Sequence, residues 1–242
     1  RVLLEEHPFG GGGGQPEMFA RLEASGIEVR WTDPVYRFSH IKTFVIDDRV
    51  AIIMNLNLTN SAFTRNRELA VITTRPDDVA QAAAIFEVDW RHGGDTPPGP
   101  LVVSPTTSRE DLLALINRAE RTIDVYAEVV RDEEMLGALI DAVNRGVEVR
   151  LVMSGDPGDS NARDRANLAA AGLDVVLTSQ LYIHAKMFLV DGRELFIGSQ
   201  NMTATSLDQN RELGIILTDA GSIERAASIF ERDYYGGRPE AP

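Results

Sequence analysis

Displaced by 144 residues, the spacing from His40 to His184, the sequence falls back onto itself: residues 40–93 lie over 184–237 with no insertion. A gapless duplication of this kind restricts the fold to two copies of one supersecondary unit, because equal spacing means equal elements. The identities include His40/His184, Lys42/Lys186, Phe44/Phe188, Asp47/Asp191, Arg49/Arg193, Asn57/Asn201, Thr59/Thr203 and the run Asn66-Arg67-Glu68-Leu69 on Asn210-Arg211-Glu212-Leu213. Apolar matches such as Phe44/Phe188 are core positions that any packed strand or helix requires. The polar matches need another reason.

One reason shows in the lysines. Of 24 Lys and Arg residues only Lys42 and Lys186 are lysine, and both stand in His-x-Lys triplets at equivalent places in the repeat. On a strand, residues i and i+2 project from one face, so each triplet is expected to present an imidazole and an ammonium to the same ligand.

The coarse secondary structure is legible in the second copy. Apolar runs at 122–130, 147–153 and 173–177 alternate with helical patterns at 109–119, 133–144 and 162–171. Residues 184–190 then read as a strand, Asp191-Gly192 as a hairpin turn and 195–198 as its partner, with 211–217 and a helix at 222–234 closing the unit. The stretch Gly93-Gly94-Asp95-Thr96-Pro97-Pro98-Gly99-Pro100 holds no regular pattern. The expected domains are therefore 1–93 and 101–242, joined by a linker at 94–100. Matching Arg1-Val2-Leu3-Leu4 to Arg150-Leu151-Val152-Met153 makes the first copy incomplete at its start, as though a leading segment were missing. That segment is a candidate partner of the chain. The glycine run at 10–14 reads as a mobile loop at a strand end.

In each copy His-x-Lys is followed by an Asp, an Asn and a Glu at fixed spacing. This pattern resembles the duplicated His-Lys-Asp signature of the phospholipase D superfamily, complete in the second copy as His184-Ala185-Lys186, Asp191 and Gly198-Ser199-Gln200-Asn201. The first copy has His40, Lys42, Asp47 and Asn57, but Met54-Asn55 where the family has Gly-Ser. The resemblance implies an α/β fold of two similar sandwich domains related by pseudo-twofold symmetry, with mixed sheets flanked by helices and the first domain truncated at its N-terminus. It also implies that Glu212 serves His40 and Glu68 serves His184. It implies His40 as the nucleophile that becomes a phosphohistidine, and His184 as the acid that later activates water. The sequence itself does not assign those two roles.

The residue types suit a phosphodiester. Attack on phosphorus needs a nucleophile, a proton donor for the departing alkoxide, and positive charge at the nonbridging oxygens. Two histidines divide the first two tasks. Lys42, Lys186, Asn57, Asn201, Ser199 and Asn55 are the expected phosphate-binding set, the lysines as compact charges and the others as neutral donors. Glu68 and Glu212 each follow their own histidine by 28 residues, and a carboxylate on one ring nitrogen fixes the tautomer of the other. Asp47 and Asp191 fall at hairpin turns, where Asp bonds backbone, and are expected to be structural. His7 and His92 have no partner motif and read as surface residues.

No cofactor is expected. Two ammonium groups on the same faces as the histidines would repel a divalent cation, so the expected chemistry is metal-independent. A formal net charge of -13 disfavours wrapping duplex nucleic acid and leaves a phospholipid as the expected substrate. A nuclease of the same superfamily and a noncatalytic phosphate-binding protein are the alternatives. The chain reads as soluble and globular and has no cysteine, which leaves the compartment open, with a location outside the cytoplasm slightly favoured.

Overall fold

The computed structural model describes residues 1–11, 13–155 and 161–240. The first half runs β1 (Val2–Leu4), α1 (Gln15–Ala24), β2 (Val29–Trp31), β3 (Thr43–Ile46), β4 (Val50–Met54), α2 (Asn60–Thr64), β5 (Asn66–Arg67), β6 (Ala70–Thr73) and α3 (Pro76–Trp90). The second opens with β7 (Val102–Ser104), α4 (Ser108–Asn117), β8 (Thr122–Tyr126), α5 (Glu133–Asn144), β9 (Glu148–Ser154), α6 (Ala162–Ala170) and β10 (Asp174–Thr178). It continues with β11 (Tyr182–Ile183), β12 (Met187–Val190), β13 (Glu194–Gly198), α7 (Ala204–Asp208), β14 (Glu212–Leu217), α8 (Ala220–Gly236) and β15 (Arg238–Pro239). This is the expected pair of similar α/β units.

The second half is one mixed sheet in the order β15-β10-β9-β8-β12-β13-β14-β7. Its strand β8 joins the parallel part to the antiparallel part, pairing parallel with β9 and antiparallel with β12. In the first half the same layout is split into a parallel pair, β1-β2, and an antiparallel sheet, β3-β4-β6. The correspondence of β1 with β9 is written in side chains. The Arg1 guanidinium pairs with Glu87 and lies over Phe86 and Trp90, as that of Arg150 pairs with Glu231 and lies over Phe230 and Tyr234. Glu87 and Glu231 are themselves repeat equivalents.

Local chemistry explains several repeat identities. Asp47 and Asp48 (φ 53° and 51°) occupy the same turn in the first copy as Asp191 and Gly192 (φ 53° and 63°) in the second. Both central residues of such a turn need positive φ, which Asp and Gly accept. The Asp191 carboxylate also accepts from the backbone of Glu120, Arg121 and Thr122 at 3.0, 2.8 and 2.9 Å, a structural role. Thr59 and Thr203 cap the short helices α2 and α7, their hydroxyls accepting from Ala62 and Ser206. Gly198 answers a packing demand: a Cβ there would meet Gly214 Cα at 2.7 Å and Gln200 Oε1 at 2.3 Å. The first copy pairs Met54 with Ala70 at that place and has Leu56 in place of Gln200, so no glycine is required.

Two cores form. One lies between the large sheet and α4, α5 and α6. The other is shared by both halves, packing Ala51, Ile53, Val71 and Ile85 with Tyr126, Met187, Ile215 and Phe230. Residues 95–98 hold no helix or strand, yet they are pinned, since Gln81 Nε2 donates to the Pro97 carbonyl at 2.9 Å and Arg211 Nη1 to Thr96 Oγ1 at 2.8 Å. The glycine run at 10–14 includes Gly12, which lies outside the described residues; Gly14 stands at the N-terminus of α1. Among the described residues no helix is long and apolar enough to cross a membrane.

Candidate active site

The halves are stitched by reciprocal backbone contacts just ahead of each His-x-Lys. β11 pairs parallel with β5, Ile183 opposite Arg67, and the mirror bridge joins Ser39 to Arg211. The next N–H in each half donates across the boundary, His184 to the Arg67 carbonyl at 3.2 Å and His40 to the Arg211 carbonyl at 2.8 Å. The ladder then stops: His40 to Lys42 and His184 to Lys186 belong to no strand, and β3 and β12 begin one residue after each lysine. The triplets therefore do not lie within a strand as expected. The opposite half pairs only with the residues just ahead, Tyr182 and Ile183 with Asn66 and Arg67 and Ser39 with Arg211, whereas the Lys42 and Lys186 carbonyls accept from Met54 and Gly198 of their own halves at 3.1 and 3.4 Å.

That crossing brings each histidine to the other half's glutamate. His40 Nδ1 lies 2.8 Å from Glu212 Oε2, and His184 Nδ1 lies 2.8 Å from Glu68 Oε2. Each carboxylate is braced by its own half: Glu212 Oε1 accepts from Ser206 at 2.6 Å and Asn210 at 2.9 Å, Glu68 Oε1 from Asn66 at 2.9 Å. With Nδ1–H donated to carboxylate, Nε2 of each ring is the nitrogen left to take up or give a proton. Each lysine curls back on its own triplet, Lys42 Nζ donating to the His40 carbonyl at 2.7 Å and Lys186 Nζ to that of His184 at 2.6 Å.

The groups act on one another electrostatically. Burial pushes the His40 imidazole below its ordinary value; Glu212 opposes this, and Lys42 and Lys186 reinforce it. Burial likewise brings Lys42 down to about 7, against the pull of Glu212 and with help from Lys186. Burial pushes the Glu212 carboxyl up, but His40, Lys42 and Ser199 outweigh it and hold the group below the usual carboxylate range. Lys42 feels Glu212, Lys186, Glu128 and Glu68, drawn from both halves, so charges of the two motifs act on one another.

Asn55 and Ser199, repeat equivalents, are both fully buried. Asn55 Oδ1 accepts from the Leu69 N–H at 2.7 Å and Ser199 Oγ from that of Leu213 at 3.1 Å, so each clamps the residue that follows a site glutamate. Asn57 and Asn201 precede α2 and α7, each carbonyl accepting from the N–H of the capping threonine at 2.8 Å. His7 and His92 lie apart from the site, His7 against Glu6 and His92 on the Trp31 carbonyl.

Sequence reasoning missed Glu128, which follows β8. Its Oε2 lies 2.8 Å from Lys186 Nζ and 3.7 Å from His184 Nε2, and its Oε1 accepts from the Tyr182 hydroxyl at 2.9 Å. Burial pushes its carboxyl up, but Lys186, His184 and Tyr182 together bring it down to about 2. The repeat could not flag it, because no first-copy residue aligns with it. The available signal was a lone charge inside the apolar run Val125-Tyr126-Ala127-Glu128-Val129-Val130.

Two α/β halves that exchange His–Glu pairs across a pseudo-twofold axis, each adding a lysine to one site, define a phospholipase D-like protein. Residues 13–90 and 112–234 match the family described as cardiolipin synthase, PLD-like domain, and the chain belongs to that family. It is 24% identical over 255 residues to the probable cardiolipin synthase YwiE of Bacillus subtilis, covering 88% of this chain and 51% of that protein. The chain spans about half the length of the first curated relatives it matches. Among solved structures, phosphatidylserine synthase of Haemophilus influenzae superimposes with a TM-score of 0.75 at 11% identity, over 99% of this chain and 74% of that one. The phospholipase D family member Nuc of Salmonella typhimurium matches with a TM-score of 0.54 at 24% identity, over 59% of this chain and 97% of that one. These structural likenesses speak to the fold.

Proposed function

We propose that the chain is a metal-independent phosphodiesterase of phospholipase D type that hydrolyses or transfers a phosphatidyl group. The observation that carries this reading is the pair of crossed His–Glu contacts, both 2.8 Å, which orient two imidazoles from distant parts of the chain at one site. His40, whose neutral form burial favours, attacks phosphorus through Nε2. As the N–P bond forms, the P–O bond to the leaving alcohol breaks, and His184 Nε2 gives that alkoxide its proton. Water or an acceptor alcohol then attacks phosphorus, loses its proton to His184 Nε2, and releases His40. Lys42 and Lys186 neutralise charge on the nonbridging oxygens, with Asn57, Asn201, Ser199 and Asn55 as neutral donors at or beneath the phosphate.

The cardiolipin synthases among the relatives support a phospholipid substrate, and the acidic net charge of -13 supports it over a polyanion. The test offers labelled phosphatidylglycerol, phosphatidylcholine and single-stranded DNA to the protein, with and without a chelator. Release or exchange of a lipid headgroup that survives chelation and disappears in His40→Asn and His184→Asn is the expected result. Activity lost to the chelator would overturn the metal-free mechanism. Turnover of DNA alone would favour a nuclease, and turnover of nothing a phosphate-binding protein.

A further inference from the structure

The pseudo-twofold axis accounts for two histidines, two lysines and two glutamates, but not for Glu128. Its carboxylate is held at both ends, by Lys186 through Oε2 and by Tyr182 through Oε1, with Oε2 3.7 Å from the His184 nitrogen that faces the reacting phosphate. The segment bearing it is fixed beside the Asn201 motif, the N–H groups of Arg131 and Asp132 donating to the Met202 carbonyl at 2.8 and 3.0 Å. The two ammonium groups are therefore unequal. Lys186 has a carboxylate partner at 2.8 Å, whereas among the described residues no carboxylate lies within 4.0 Å of Lys42. An anion entering the site meets one uncommitted lysine, one lysine already paired, and a fixed negative charge beside them.

From this arrangement we propose that Glu128 is a specificity-determining residue, one that makes the site accept singly charged phosphodiesters and reject doubly charged phosphate monoesters. The inference rests on the reading of the site as a phosphodiester site. A diester carries one negative charge, which Lys42 matches. A monoester or inorganic phosphate carries nearly two at mildly alkaline pH, and the second falls on the side where Glu128 has already taken up the charge of Lys186. Repulsion between like charges a few ångströms apart in a partly buried site is too large for that second charge to be ignored. A consequence follows for turnover: if water rather than an alcohol resolves the intermediate, the product is a monoester, and the same carboxylate drives it out.

The test is binding, independent of catalysis. Inorganic phosphate and dimethyl phosphate, similar in size and differing in charge, are titrated into the 242-residue chain at pH 8 by calorimetry, where Lys42, with a value of about 7, takes up a proton to bind either anion, a cost common to both that cancels from their ratio. The unmodified protein is expected to bind dimethyl phosphate more tightly. In Glu128→Gln, which keeps the shape and removes the charge, affinity for inorganic phosphate relative to dimethyl phosphate should rise by about tenfold or more. Tyr182→Phe keeps the charge and should leave that ratio unchanged. An unchanged ratio in Glu128→Gln, or a Tyr182→Phe shift as large, overturns the proposal. Should Glu128→Gln fail to fold, the unmodified protein still decides: binding of inorganic phosphate as tight as that of dimethyl phosphate refutes it. Binding without charge preference removes this inference alone, whereas no binding of either anion removes the phosphodiester reading too.

Discussion

His40 and Lys42 sit two residues apart, and burial lowers the proton affinity of both, with opposite consequences for the proposed chemistry. His40 must be neutral to attack, so a lowered value keeps it competent and places the acid limb of kcat/KM below 6.5. Lys42 must be charged to hold phosphate, and its value of about 7 makes the free enzyme lose that charge as pH rises through neutrality. The pH profile of kcat/KM should therefore fall on the alkaline side near pH 7. Lys42→Arg, whose guanidinium stays protonated, should have lower activity but no alkaline fall in that range. A fall that persists in the arginine variant would assign the limb to another group. The crossed pairing yields a second expectation. Glu212→Gln and His40→Asn should be strongly non-additive in kcat, since each disables the same ring, whereas Glu68→Gln should couple to His184→Asn. Coupling within a half, Glu68 with His40, would mean that the contacts across the boundary do not orient the rings. At this scale the residues that occur twice were legible, because repetition separates a chemical requirement from chance. Glu128 occurs once and has no such mark.

Among elements, β5 and β11 do the joining although each has only two residues. Side chains anchor this junction and its mirror: Arg67 of β5 reaches Asp233 with Nη2 2.8 Å from Oδ1, and Arg211, fully buried at the bridge to Ser39, reaches Asp89 with Nε 3.0 Å from Oδ1. Asp89 and Asp233 are repeat equivalents near the ends of α3 and α8, so each helix clamps the opposite half's segment, whose glutamate meets the histidine of the helix's own half. Removing one partner from a buried ion pair strands the other charge. Asp89→Asn is expected to cost about 3 kcal/mol or more in denaturant unfolding. Asp233→Asn should cost less, because the Arg67 side chain retains 17% exposure against none for Arg211. Equal small losses would show that both junctions, β5–β11 and Ser39–Arg211, are held by backbone alone. The repeat displayed these arginines and aspartates, but which of them meet is a matter of three-dimensional crossing that no single-copy pattern encodes. Helical periodicity did locate α5 at Glu133–Asn144, where an amphipathic run begins after a capping Asp132. It failed at α7, five residues long and too short to show a period.

Across the whole molecule the site's histidines, lysines and crossed glutamates are duplicated, while the scaffold around them is unequal. The outer face of the large sheet is covered by α4 and α5, so Phe188 is 2% exposed within the core they form. Its repeat equivalent on β3, Phe44, is 44% exposed, and Ile46 and Ile72 on the same face are 46% and 70% exposed. The alignment could match Phe44 to Phe188 as two core residues but could not see this, because equal sequence position does not ensure equal cover. The inequality sets the energetics. Phe188→Ala empties a packed site, losing transfer energy and leaving a cavity, at a cost of about 3 to 5 kcal/mol. Phe44→Ala removes a ring already half in water and should cost under about 1 kcal/mol. Urea unfolding of the two variants measures the difference directly. If Phe44→Ala proved as costly as Phe188→Ala, the face of β3 would have to be covered in solution. The shared core explains why a thinner first half still serves the site: Ala51, Ile53 and Ile85 pack against the second half's Met187, Ile215 and Phe230, so the histidines are held from the side where the two halves meet.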